Sequence, residues 1–176
     1  IIENNGGRLD VTDGKAIFEL KNAMSVSMRT QDIFDFRTTP IVLEAKFKNN
    51  KISDPKWYVG TFIKIAGDGD YLLVRVDNGE QIRLENAETA ATDWTSPVFD
   101  YKPIDPEKPH DVKLYMDSVR YRLELDGVLL SEGNHNAVMT KGSASLTISS
   151  GHQGHGDTWE VDYLKIRHTK DGEWKK

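Results

Sequence analysis

Asn78-Gly79 stands between two alternating runs, and it restricts the fold more than any other feature of the chain. Before it lies YLLVRVD (Tyr71 to Asp77), and after it EQIRLEN (Glu80 to Asn86). Asn-Gly is a strong short hairpin signal because both residues tolerate the positive φ of a tight turn. In a strand, residues i and i+2 share a face. Leu72, Val74 and Val76 therefore line one face, while Tyr71, Leu73 and Arg75 line the other. Ile82 and Leu84 continue the apolar face on the partner. Tyr71 to Asn86 thus reads as an antiparallel hairpin with one buried face.

The same period recurs along the chain. IVLEAKF (Ile41 to Phe47) alternates, and WYVGTFIKIA (Trp57 to Ala66) is β-branched and aromatic. HDVKLYMD (His110 to Asp117) puts Val112, Leu114 and Met116 inward. VRYRLELDG (Val119 to Gly127) puts Tyr121, Leu123 and Leu125 inward, with Arg120, Arg122 and Glu124 opposite. Asp126-Gly127 marks a further tight turn before VLL. RLDV, KAIFEL, MSVSMR and SASLTISS supply more strands. No long window carries apolar residues at helical spacing. Between Ala87 and Pro109 stand four of the six prolines, which reads as a long connection because proline cannot donate to a ladder. Two-faced alternation over many short strands points to an all-β chain: two antiparallel sheets packed face to face. With 176 residues and neither repeat nor linker, residues 1–176 are expected to form a single β-sandwich domain. The chain begins Ile1-Ile2, which suggests a domain excised from a longer protein.

Charge and composition narrow the partners. The net charge is −5 with both signs mixed, which speaks against nucleic acid. There is no cysteine, hence no disulfide and no thiolate chemistry. No apolar run approaches the ~20 residues that a membrane helix needs, so no membrane insertion by a helix is expected.

Three segments then line up in order. HDVKLYMDSVRYRLELDGVLLSEG is a hairpin, GSASLTISSGHQGHGD a strand and loop, and WEVDYLKIR a final strand. This order resembles the C-terminal half of concanavalin A-like lectin and glucanase jelly rolls, in particular laminin-G-like and glucanase-like modules. It also resembles 3-keto-disaccharide hydrolase-like modules. TTPIVLEAKFK and DYLLVRVDNGEQIRL fit the same pattern, so the resemblance spans most of the chain. It implies a concanavalin A-like jelly-roll sandwich. It further implies a monomeric carbohydrate-binding module, or accessory glycan-recognition domain, of a secreted or cell-surface bacterial polysaccharide-processing protein. Its partner would be an oligo- or polysaccharide. The alternatives are a glycoside hydrolase or lyase with its site on the concave face, and a protein-adhesion module of the laminin-G kind.

The candidate residues follow from sugar chemistry. Sugars offer apolar C–H faces and many hydroxyls, which suit aromatic platforms and polar side chains. Trp57, Tyr58, Trp94 and Trp159 are the candidate platforms, and the competing role for each is core packing. Arg75, Arg83, Arg120 and Arg122 sit on non-core strand faces and would suit acidic glycans if they met on one face. The competing reading is a solvated face neutralised by Glu80, Glu85 and Glu124. His152 and His155 lie in a glycine-rich loop and can hydrogen-bond a sugar at the rim. With Asp157 they also make an incomplete zinc set. Asp68 and Asp70, in the GDGD turn, are the candidate calcium ligands, against the plain reading of a hairpin turn. Glu160-Val-Asp162-Tyr-Leu-Lys165 is similar to the laminarinase-type motif Glu-x-Asp-x-x-Glu, but Lys165 stands where the acid/base belongs. Hence no catalytic residue is assigned. In the glycoside hydrolase or lyase alternative, His152, His155, Asp157 and Glu160 are the first suspects. Asp162 is expected to face inward with Leu164 and Ile166.

Overall fold

A computed structural model of the chain describes residues 2–4, 8–21, 25–51, 59–67, 70–78, 80–88, 96–137, 139–150 and 155–174. Fifteen strands occur among these residues: β1 (Ile2–Asn4), β2 (Arg8–Thr12), β3 (Lys15–Lys21), β4 (Ser25–Arg29), β5 (Phe34–Asp35), β6 (Ile41–Lys51), β7 (Val59–Gly67) and β8 (Asp70–Asp77), then β9 (Gln81–Glu88), β10 (Ser96–Pro103), β11 (His110–Met116), β12 (Arg120–Leu125), β13 (Val128–Asn134), β14 (Lys141–Ser150) and β15 (His155–His168). The first sheet runs β1-β4-β14-β7-β8-β9-β10, with β5 pairing β14 beside it. The second runs β13-β12-β11-β6-β15-β3-β2. All pairings between these strands are antiparallel.

The apolar half of each alternating strand faces the other sheet. Ile63, Ile65, Leu72, Val74, Ile82 and Leu146 come from the first sheet, and Phe18, Leu43, Leu114, Leu123, Trp159 and Val161 from the second; all belong to one buried cluster. Burying such side chains contributes about 1.5–3 kcal/mol each, which is why the period-2 pattern fixes the register. A one-residue slip would turn each of these strands inside out.

The expected hairpin is present: β8 and β9 pair from Asp70↔Glu88 to Asp77↔Gln81. Asn78 takes a φ of 50°, and the Glu80 amide donates to the Asp77 carbonyl at 2.9 Å. At Asp126-Gly127 both central residues have positive φ, 52° and 78°, closing β12 and β13 with a two-residue turn. The proline-rich stretch departs from expectation. It is not one long connection, because β9 reaches Glu88 and β10 covers Ser96–Pro103. Two prolines are accommodated because β10 is the last strand of its sheet, and its register to β9 shifts twice. An edge strand can lack amide donors where a central one cannot.

Candidate functional site

The outward side of the first sheet carries the candidate site. Alternation places Ser145, Thr147 and Ser149 of β14 there, with Phe62 and Lys64 of β7. Tyr71, Leu73 and Arg75 of β8 and Arg83 and Glu85 of β9 complete the face. Strand register sorts them into rows. Thr147, Phe62, Arg75 and Arg83 are successive cross-strand partners, and so are Ser145, Lys64, Leu73 and Glu85. Between them lies a cavity of about 380 Å³ lined by Phe62, Lys64, Tyr71, Leu73, Arg75, Glu85, Thr147 and Ser149. Aromatic rings, hydroxyls and charged groups thus open onto one space.

The electrostatics of this face turn on Glu85. Arg75 and Arg83 are direct cross-strand partners, and like charges so placed repel. Glu85, whose side chain is only 1% exposed, offsets this: its Oε1 accepts from Arg75 Nη1 at 3.4 Å and also pairs with Arg83 Nη2. Arg75 Nε donates to Asp77 Oδ1 at 2.8 Å. The Arg83 guanidinium stacks 4.4 Å above the Tyr101 ring, that of Arg75 lies 5.7 Å from Phe62, and Lys64 Nζ lies 5.3 Å from Tyr71. The Tyr101 hydroxyl donates to Asp77. Burial, then that bond and the Asp77 charge, push the Tyr101 phenol up to about 12. Burial and the Glu85 charge also raise Tyr71. Three polar atoms of this face are buried without a hydrogen-bond partner: Glu85 Oε2, Arg83 Nε and Ser145 Oγ.

One guanidinium bridges the two carboxylates of this face: Arg75 Nε meets Asp77 Oδ1 at 2.8 Å and Arg75 Nη1 meets Glu85 Oε1 at 3.4 Å. Both carboxylates are engaged as ion-pair partners, Glu85 by Arg83 as well and Asp77 by the Tyr101 hydroxyl.

The expected arginine cluster divides between the two sheets. Arg75 and Arg83 belong to the first. Arg120 and Arg122 lie on β12, on the outward side of the second, so the four do not form one basic face. Arg120 forks onto Asp117 Oδ2 at 3.1 and 2.8 Å and lies 5.2 Å from the Trp174 ring. Arg122 pairs with Glu124 at 2.5 Å. Nearby, the C-terminal turn packs back over this side. The Trp174 and Tyr115 rings lie 6.3 Å apart, and Arg167 grips Glu173 with two bonds of 2.8 and 2.7 Å while reaching Glu44 at 3.1 Å. Hydrogen bonding to Arg167 draws the Glu173 carboxyl down to about 2.

Trp159 is corrected from a sugar platform to a core residue. It is 1% exposed and among the largest fully buried side chains. Asp162 is corrected as well. The register of β15 against β6 shifts between Val161 and Tyr163, so Asp162 is the extra residue of a bulge and the alternation flips there. Leu164 and Ile166 pack on the core as expected. Asp162 instead meets Lys46 at 3.2 Å and Lys15 at 3.4 Å. Burial acts to raise its carboxyl, and the two lysines outweigh this and hold it below the usual carboxylate range. Glu160 is held by the same Lys15. Asp157, a suspect in the zinc and hydrolase readings, is 3% exposed on β15.

Trp57, Tyr58, Asp68, Trp94 and His152 lie outside the described residues. His155 opens β15 opposite Lys21, and its side chain is likewise outside the description. Asp70 opens β8 opposite Gly67 and Glu88. Among the described residues, no group of three His, Cys, Asp or Glu side chains could hold a metal. Sequence reading passed over Phe62, Glu85, Thr147 and Ser149 as site residues. Their parity was readable, but parity alone does not say which strands become neighbours.

No family model matches the chain, and no curated protein matches it in sequence. Solved structures do match in fold. The carbohydrate-binding module CBM66 from Bacillus subtilis superposes with a TM-score of 0.67 at 16% identity, over 94% of both chains. The potassium-bound carbohydrate recognition domain of Emp46p gives 0.68 at 14%, over 94% of this chain and 87% of that one. The endo-β-1,3-glucanase from Pyrococcus furiosus gives 0.71 at 11%, over 96% and 79%. With its two packed antiparallel sheets and these neighbours, the chain has the concanavalin A-like jelly-roll fold.

Proposed function

We propose that the chain is a carbohydrate-binding module, which holds an oligo- or polysaccharide on the outward face of the β14-β7-β8-β9 sheet without covalent chemistry. The observation that carries this reading is the cavity in which the Phe62 and Tyr71 rings stand beside the Thr147 and Ser149 hydroxyls. Rings can stack on the C–H faces of a sugar, and the hydroxyls can exchange hydrogen bonds with its edge. The carbohydrate-binding module and carbohydrate recognition domain among the fold neighbours support it, since each superposes over 94% of this chain. The glucanase neighbour supports hydrolysis less well here, because Asp77 and Glu85 are both engaged in ion pairs with the arginines of the face. The module is secreted or cell-surface, acting as a monomeric domain beside a polysaccharide-processing partner. A glycan array tests the reading: saturable binding to at least one oligosaccharide class is expected. Absence of binding to every class, or release of reducing sugar from a bound glycan, would overturn it.

A further inference from the structure

The glycan reading leaves open whether the ligand is acidic or neutral, and the charges of the cavity bear on that. Among the described residues, three cations stand on the β7, β8 and β9 part of this face, and each already has a partner. Arg75 is bonded to Asp77 and Glu85, Arg83 is paired with Glu85 and stacked on Tyr101, and Lys64 lies over the Tyr71 ring. At either arginine an acidic sugar would have to displace a carboxylate that the protein itself has placed there, whereas Lys64 is held by a ring face. What remains unspent is different in kind. Glu85 Oε2 is a buried acceptor without a donor, and Arg83 Nε is a buried donor without an acceptor. Other buried groups share that condition, such as Asp111 Oδ1 and Arg122 Nε of the second sheet. Glu85 differs from them in lining the cavity, with Thr147 and Ser149 across from it. An unpartnered acceptor of this sort costs stability until a donor reaches it. A hydroxyl both donates and accepts, whereas a ligand carboxylate or sulfate only accepts.

Resting on the glycan reading, we infer that the ligand is an uncharged, polyhydroxylated saccharide, one of whose hydroxyls donates to Glu85 Oε2 at the cavity floor. Glu85 then has two roles. One oxygen neutralises the paired arginines, and the other selects a hydroxyl donor.

The test compares the intact protein on neutral hexose oligosaccharides (cello-, laminari- and manno-series) with oligogalacturonate and heparin oligosaccharides, by calorimetry at low and high salt. The expected result is binding to a neutral series that changes less than about twofold between low and high salt, because no ion pair forms with the ligand. Glu85→Gln is expected to weaken that binding about tenfold, at the size of a lost charge-assisted bond. Because Glu85→Gln also disturbs the arginines, its melting curve is recorded alongside, and the salt series on the unaltered protein stands if the variant does not fold. Tightest binding to a uronate or sulfated series that fades with salt would overturn the inference while keeping the glycan reading. A folded Glu85→Gln variant with unchanged affinity would overturn the Glu85 contact. No binding to any series would overturn the glycan reading, and this inference with it.

Discussion

The two outward faces of the sandwich use similar residues to opposite ends. Each has tyrosines, arginines and carboxylates, and each has one phenol pushed up to about 12 by burial and a hydrogen-bonded aspartate: Tyr101 with Asp77 on the first sheet, Tyr163 with Asp111 on the second. On the second sheet the charges close on one another. Lys15 and Lys46 hold Glu160 and Asp162, while Arg167 spans Glu44 and Glu173. The C-terminal turn packs over part of that face, and Val42 is fully buried although it points away from the sandwich core. On the first sheet a cavity opens across β14, β7, β8 and β9, with rings and hydroxyls lining it and a glutamate half spent, whereas the space of about 400 Å³ beside Arg120 and Trp174 lies at the β12-β13 edge of the second. Residue types alone do not make a site. Here the site comes from rings, hydroxyls and an unspent acceptor that share one space.

The largest effect should break both faces together. Trp159→Ala is expected to lower unfolding free energy by about 3–5 kcal/mol in denaturant titration, as for other buried aromatics. A stable variant that has lost only sugar binding would return Trp159 to the rim. Next comes a change confined to the open face. Phe62→Ala should weaken glycan affinity about tenfold in calorimetry, the scale of a central aromatic contact, with little change in melting temperature.

The third prediction belongs to the covered face. Glu173 titrates near 2 in the folded protein, against an ordinary 4.5. A carboxyl depressed by folding stabilises the protein above its unfolded value, and that contribution is lost as pH falls from about 4.5 toward 2. Glu173→Gln should therefore cost about 1 kcal/mol or less at neutral pH, discounted for solvent, and flatten the acid limb of the melting-temperature profile. An unchanged acid limb would mean that the Arg167 pair contributes nothing there. Smallest of all is Arg120→Ala, which should change glycan affinity less than about twofold, since Arg120 lies on the opposite sheet. A larger loss would join the two faces that the structure separates.

Much of the sandwich could be read from alternation, because burying one face of each strand is what the hydrophobic effect rewards. The hairpin at Asn78, the turn at Asp126-Gly127 and the inward set of β11 follow from local chemistry. Three features escaped for physical reasons. Prolines read as breakers proved compatible with an edge strand. The bulge at Asp162 reversed parity in mid-strand, which no period-2 count reveals. Arg120 and Arg122 share the parity of Arg75 and Arg83, yet sheet membership depends on pairings between strands far apart in sequence. The site was half visible for the same reason: Arg75 and Arg83 were singled out, but β14 and its hydroxyls come beside β7 only through the fold.

Amide chemical-shift mapping of the labelled protein with the best array ligand tests the central claim most directly. Binding on the open face should concentrate shifts in residues 61–66, 71–77, 83–85 and 145–149. Shifts concentrated instead in residues 42–48, 120–124 and 160–168 would place the ligand on the covered sheet and contradict the account.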